Sequence, residues 1–121
     1  MSPHSAEVRT VAAGCWWDAV RVPAAPGVRA LALLGERTGA VIRDGYGGIL
    51  YWLVPPGEAN DWHLPEVQVL GRGSHVAVPP SLRTKGPGLY WQVPPAYGRE
   101  CTDTARLHAA LSTALSVQPA P

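Results

Sequence analysis

The sequence predicts an α+β domain: a small, mostly antiparallel or mixed sheet covered by two main helices. Three observations carry this. The element order reads strand, helix, a run of strands, then helix. Two segments, 25–37 and the stretch from Leu107 to Leu115, repeat apolar residues at the helical period. A strand-like phrase, LYWxVPP, stands at both 50–56 and 89–95.

The 121 residues suffice for one compact domain with a single core. A hydrophobic fraction of 46% against 16% charged residues fits a globular chain. The formal net charge of +1 argues against a protein that neutralises many phosphates. No apolar run approaches the ~20 residues of a membrane span, so no membrane partner is expected. The opening MSPHSAEVRT lacks the layout of a secretory signal, which leads us to expect a cytoplasmic protein with Cys15 and Cys101 as free thiols.

Residues 1–12 are polar and small and are expected to fray, as is the tail 117–121. CWWDAVRVP (15–23) alternates as a strand, with Trp16, Asp18, Val20 and Val22 on one face and Trp17, Ala19 and Arg21 on the other. Pro23 ends it. Residues 25–37 read as a helix with Pro26 in its first turn and Val28, Leu31 and Leu34 on its stripe. Arg29, Glu36 and Arg37 are expected to face water, with Gly39 as the stop. Strands follow at 40–44 and 48–54 around DGYGG, a turn signal. GEANDWHLP (57–65) is a loop. Residues 66–80 read as a hairpin turning at Gly71–Gly73, and 89–93 as the final strand. Leu107, Ala110, Leu111, Ala114 and Leu115 mark the last helix, capped by Thr102 or Asp103.

The doubled phrase is too short and too isolated for a repeat architecture. Alternating large residues make a half-buried strand, and Pro-Pro stiffens its exit. The competing idea is an aromatic platform of Tyr51, Trp52, Tyr90 and Trp91 that stacks bases. Tryptophan on a strand is more often core, which favours the structural explanation.

VQVLGRGSHVAVPPSLRTKGPGLYW (67–91), with Pro79, Pro80, Ser81, Gly86 and Trp91 in type and spacing, resembles the C-terminal signature of the bifunctional primase–polymerase domain, of the archaeo-eukaryotic primase class. GYGGILYWLVP resembles that family's Gly-Gly-x-His-Leu-Tyr-Phe strand, and WWDAVRV is similar to its first acidic strand. The resemblance covers about 15–92. It implies a two-metal nucleotidyl transfer site with an acidic pair, a later acid and a phosphate-contacting His. Here Asp18 is the candidate remnant acid, but its i+2 partner is Val20. Ile49 takes the His position, Gln68 the later acid, and Arg83 the place of a histidine after Pro-Pro-Ser. The expectation is therefore a catalytically degenerate relative with no catalytic residues, metal or cofactor.

Other patterns point the same way. There is no Walker loop or dinucleotide fingerprint, and two Cys and four His lie scattered without zinc-ligand spacing. Cys15, beside two tryptophans, is expected to be buried and inert. Arg72, Ser74, His75, Ser81, Arg83 and Lys85 flank neighbouring turns and form a candidate anion pocket for a nucleotide or a nucleic-acid backbone. Trp62 would offer a partner surface if exposed; folding back onto the sheet edge is the preferred alternative. The expected function is a non-catalytic binding module acting through a protein partner or self-association, with a residual nucleotide site. A degenerate nucleic-acid binder and a small enzyme centred on Asp18, His75 or Cys15 are the alternatives.

Overall fold

The computed structural model of the chain describes residues 7–96 and 98–116. The expected tail 117–121 and residues 1–6 lie outside the described residues. The α+β architecture is as the sequence predicts, and every strand pairing is antiparallel. The strands are β1 (Arg9–Ala12), β2 (Asp18–Pro23), β3 (Val41–Asp44), β4 (Ile49–Val54), β5 (Gln68–Leu70), β6 (His75–Val78) and β7 (Leu89–Val93). The helices are α1 (Ala24–Leu34) and α2 (Thr104–Leu115), with a 3-10 turn at Gly35–Arg37.

The main sheet has the order β5-β2-β4-β3-β7. β2, α1 and β3 form a split β-α-β unit, with β4 between its two strands. Helices α1 and α2 cover one face of this sheet. Beneath them lies a core of Val20, Val22, Leu50, Trp52, Val54, Leu107 and Leu111, all fully buried. The other face is half covered by a two-stranded ribbon, β1 with β6, over a second core of Ala19, Ile42, Leu53, Val76, Val78 and Trp91.

The local chemistry explains the boundaries. Asp44 Oδ1 accepts the Tyr46 and Gly47 N–H groups, both at 3.0 Å, and closes the β3–β4 turn. Asp103 caps α2 by accepting the Arg106 N–H at 2.9 Å. At the far end of α2, the Arg29 guanidinium donates to the Ala114 carbonyl through Nε and Nη2 at 3.2 and 3.0 Å, so Arg29, exposed as expected, also ties the two helices together.

Several expectations are corrected. Residues 9–12 do not fray as the sequence predicts; they pair with β6 as β1. The hairpin expected over 66–80 does not form: β5 pairs with β2, while β6 pairs with β1 in the ribbon. Helix α1 ends at Gly35, whose φ of 55° lies in the left-handed region, ahead of the expected Gly39 stop. Its buried stripe is Pro26, Gly27, Ala30 and Leu34, and Val28 is exposed. The reason is close packing. A Cβ on Gly27 would sit 2.6 Å from Leu50 Cδ1, so the small face of the helix, rather than its bulkiest one, lies on the sheet.

Candidate functional site

The alternation along each strand settles which residues share a face. Val20 and Trp52 belong to the helix-side core, and Ala19 and Leu53 to the ribbon-side core. Ile49 and Tyr51 therefore lie on the ribbon side, as does Gln68, which pairs with Arg21. The ribbon leaves this half of the sheet open, and Ile49, Tyr51 and Arg21 are half-buried.

Asp18 is not with them. It shares the helix side with Val20, is 2% exposed, and accepts the Gly57 N–H through Oδ2 at 2.8 Å. Its Oδ1 has no hydrogen-bond partner among the described residues. The role supported by contact is structural: Asp18 anchors the 57–62 loop, which brings Glu58 to Thr104 Oγ1 at 2.7 Å. The candidate remnant acid thus stands on the opposite face from Ile49 and Gln68. Among the described residues, no group of three His, Cys, Asp or Glu side chains is placed to hold a metal ion.

The candidate anion pocket is divided by the fold. Arg72, Ser74 and His75 lie at one end of β6, and Ser81, Arg83 and Lys85 beyond the other. The strand alone spans roughly 10 Å at ~3.3 Å per residue. Ser74 is used by its backbone, its carbonyl accepting the Ala13 N–H at 2.9 Å. Arg83 fastens its own loop: Nη2 donates to the Pro87 carbonyl at 2.6 Å, and its carbonyl accepts the Trp91 N–H at 2.8 Å. Arg72, His75, Ser81 and Lys85 are exposed. Trp62 is folded back as preferred. It is half-buried against the helix-side core, edge-on to the His108 ring at 5.0 Å.

The aromatic platform is contradicted. Trp52 and Trp91 are both buried, and they face opposite sides of the sheet. The doubled phrase is one strand pattern used once in each core. Trp52 Nε1 donates to Thr38 Oγ1 at 3.1 Å, whereas Trp91 Nε1 is shielded from solvent and meets no acceptor among the described residues.

A different aromatic group does reach the surface. Trp16, Trp17 and Trp91 line a cleft of about 330 Å³ between the ribbon and the main sheet. Val11, Val78, Leu53 and Pro95 add to its apolar wall, and Arg9 and Glu100 bring charge to its lining. Trp16 is 80% exposed. Gly14, with a φ of 98°, makes the turn that presents it. A Cβ there would lie 2.8 Å from the Arg72 Cα, so the turn and the β5–β6 connection are locked together. The sequence offered a partial signal, two adjacent tryptophans before an acidic strand. It did not show that the extended segment begins only at Asp18, leaving Trp16 outside the sheet.

Cys15 is exposed, contrary to the buried, inert thiol expected, and Cys101 is half-buried. Both are free. Burial first, then the negative charges of Glu100, Glu58 and Asp18, hold the Cys101 thiol above its ordinary value. Less thiolate and less access act together at Cys101. Iodoacetamide at pH 8 should therefore label Cys15 well ahead of Cys101, as followed by mass spectrometry. Equal labelling rates would contradict that environment.

Comparison with protein-family models, with curated proteins and with solved structures gives no match to this chain.

Proposed function

We propose that this chain is a non-catalytic, primase–polymerase-like binding module that takes a proline-rich segment of a protein partner in the tryptophan cleft. The observation that carries this is Trp16, an indole left 80% exposed at a cleft whose lining includes two further tryptophans. Burying a large apolar side chain is worth about 1.5–3 kcal/mol, and the fold does not collect that at Trp16. A partner does. Exposed tryptophans are the residues that dominate binding energy when covered.

The chemistry of the lining selects the partner. Polyproline helix is rigid before it binds, so little order is lost, and its flat rings pack between indole faces. Aromatic-lined grooves with a charged edge are the common receptor for such segments. Arg9 and Glu100 supply that charge here and would set the direction of a flanking basic or acidic residue.

The non-catalytic part rests on residue placement. Two-metal chemistry needs several carboxylates converging on one face. Ile49 and Gln68 occupy the positions of the resembled family on the open face, and Asp44, at the end of β3, is committed to its own turn.

Titration calorimetry with a decaproline peptide tests the proposal. Binding is expected, weakened by about tenfold or more in Trp16→Ala, a loss of ~1.4 kcal/mol or greater. The melting temperature of Trp16→Ala should stay within about a degree, because the indole is solvated in the free protein. Unchanged affinity in Trp16→Ala, or no heat with decaproline at millimolar concentration, would overturn the assignment. Sedimentation of the free protein separates it from self-association through the same cleft.

A further inference from the structure

A second cleft, of about 360 Å³, lies where the end of α1 meets the start of α2. Three arginines from three separate segments line it: Arg37 closing the 3-10 turn, Arg99 in the loop before α2, and Arg106 in the first turn of α2. All three are exposed. Neither the Arg37 nor the Arg106 side chain is engaged by a hydrogen bond or ion pair within the described residues. Among the described residues, Arg99 Nη1 donates to the Glu36 carbonyl alone, at 3.4 Å.

That arrangement is unfavourable for folding alone. Like charges gathered in one cleft repel. A basic residue in the first turn of a helix also opposes the positive end of the helix dipole. Two carboxylates, Glu36 and Asp103, share the lining, yet among the described residues neither forms an ion pair with the guanidiniums. Asp103 accepts the Arg106 backbone N–H through Oδ2. The guanidiniums are therefore open to an outside anion.

We propose that this cleft binds a small phosphate-bearing ligand carrying two or more linked phosphates, a site separate from the tryptophan cleft. A guanidinium grips a phosphate through two parallel N–H donors, so three of them suit a diphosphate or longer chain better than a single carboxylate. The volume fits a small molecule. A net charge of +1 and the confinement of the three arginines to one concavity disfavour a long nucleic-acid backbone. The neighbouring carboxylates make the affinity moderate and salt-sensitive.

The test is thermal unfolding with inorganic pyrophosphate, tripolyphosphate and adenosine triphosphate, each matched to sodium chloride of equal ionic strength. Pyrophosphate should raise the melting temperature by a few degrees over its salt control. Tripolyphosphate and adenosine triphosphate giving equal shifts would show that the phosphate chain is what is read; a larger shift with the nucleotide would add a nucleoside contact to the same site. The Arg37→Gln/Arg106→Gln double variant should melt at the same temperature or slightly higher without ligand, because charge repulsion is relieved, and lose the shift. In the unsubstituted protein, the phosphorus NMR signal of pyrophosphate should broaden on adding protein, a readout that needs no variant. A shift no larger than that of sodium chloride, an unbroadened signal, or a shift retained in a folded double variant would each overturn the site.

Discussion

Replacing Trp52 with alanine is expected to cost about 3–5 kcal/mol, the usual range for a fully buried large aromatic. Trp52 is 0% exposed at the middle of the central strand β4, opposite Val41 on one side and Val20 on the other. Its ring fills the space beneath both helices, and no single neighbour can collapse into the gap. A domain of this size has ~5–15 kcal/mol in total, so Trp52→Ala will be near the edge of folding at 37 °C. A gentler pair of changes isolates the polar contribution. Trp52→Phe loses the indole hydrogen bond to Thr38 Oγ1; Trp91→Phe removes a donor that is buried without an acceptor. Denaturant unfolding should find Trp52→Phe the more destabilising by about 1 kcal/mol. The reverse order would contradict a hydrogen-bonded indole at Trp52 and an unpartnered one at Trp91.

Gly39→Ala should be nearly as damaging, at roughly 3 kcal/mol, or a fall of about 10 °C in melting temperature. The added methyl would sit 2.6 Å from the Cys101 carbonyl carbon and 2.9 Å from the Thr102 nitrogen. These are backbone atoms, and three hydrogen bonds hold them. Gly39 N–H donates to Thr102 Oγ1 at 2.8 Å, Ala40 N–H to the Glu100 carbonyl at 3.1 Å, and Thr102 N–H to the Leu53 carbonyl at 2.8 Å. The methyl therefore forces the 100–102 segment off the sheet and with it the start of α2. Gly48→Ala, where the same methyl meets no atom within 4 Å, isolates the steric effect; its φ of 67° costs only local strain. A melting temperature for Gly39→Ala at or above that of Gly48→Ala would refute the close approach.

Periodicity carried most of the fold. The last helix was legible residue by residue, because Leu107, Ala110, Leu111 and Ala114 form its buried stripe. The strand faces around Val20 and Ala19 were legible for the same reason. Pairing partners were not. A short turn at Gly71–Gly73 suggests a hairpin, but nothing local records that β5 and β6 satisfy their ladders with β2 and β1 instead. The doubled phrase shows the same limit. Two identical alternations specify two strands with one buried tryptophan each, and leave open which side of the sheet each tryptophan enters.

The sites were less legible than the fold. Proximity in sequence grouped Arg72 and His75 with Arg83 and Lys85, and an extended strand holds them apart. Arg37, Arg99 and Arg106 come together only because α1 and α2 pack on each other. Asp18 carried the expected type of side chain at a plausible position, but its strand turns it toward the helices and into a loop anchor. Trp16 was visible as a residue type. Its exposure depended on where β2 begins.

The central claim is that the tryptophan cleft is the binding surface, and the five indole N–H resonances report on it directly. A proton–nitrogen NMR titration with decaproline should move the signals of Trp16, Trp17 and Trp91. Those of Trp52 and Trp62, packed in the helix-side core, should stay in place and serve as internal controls. Indole signals that all remain still, or shifts confined to Trp52 and Trp62, would contradict it.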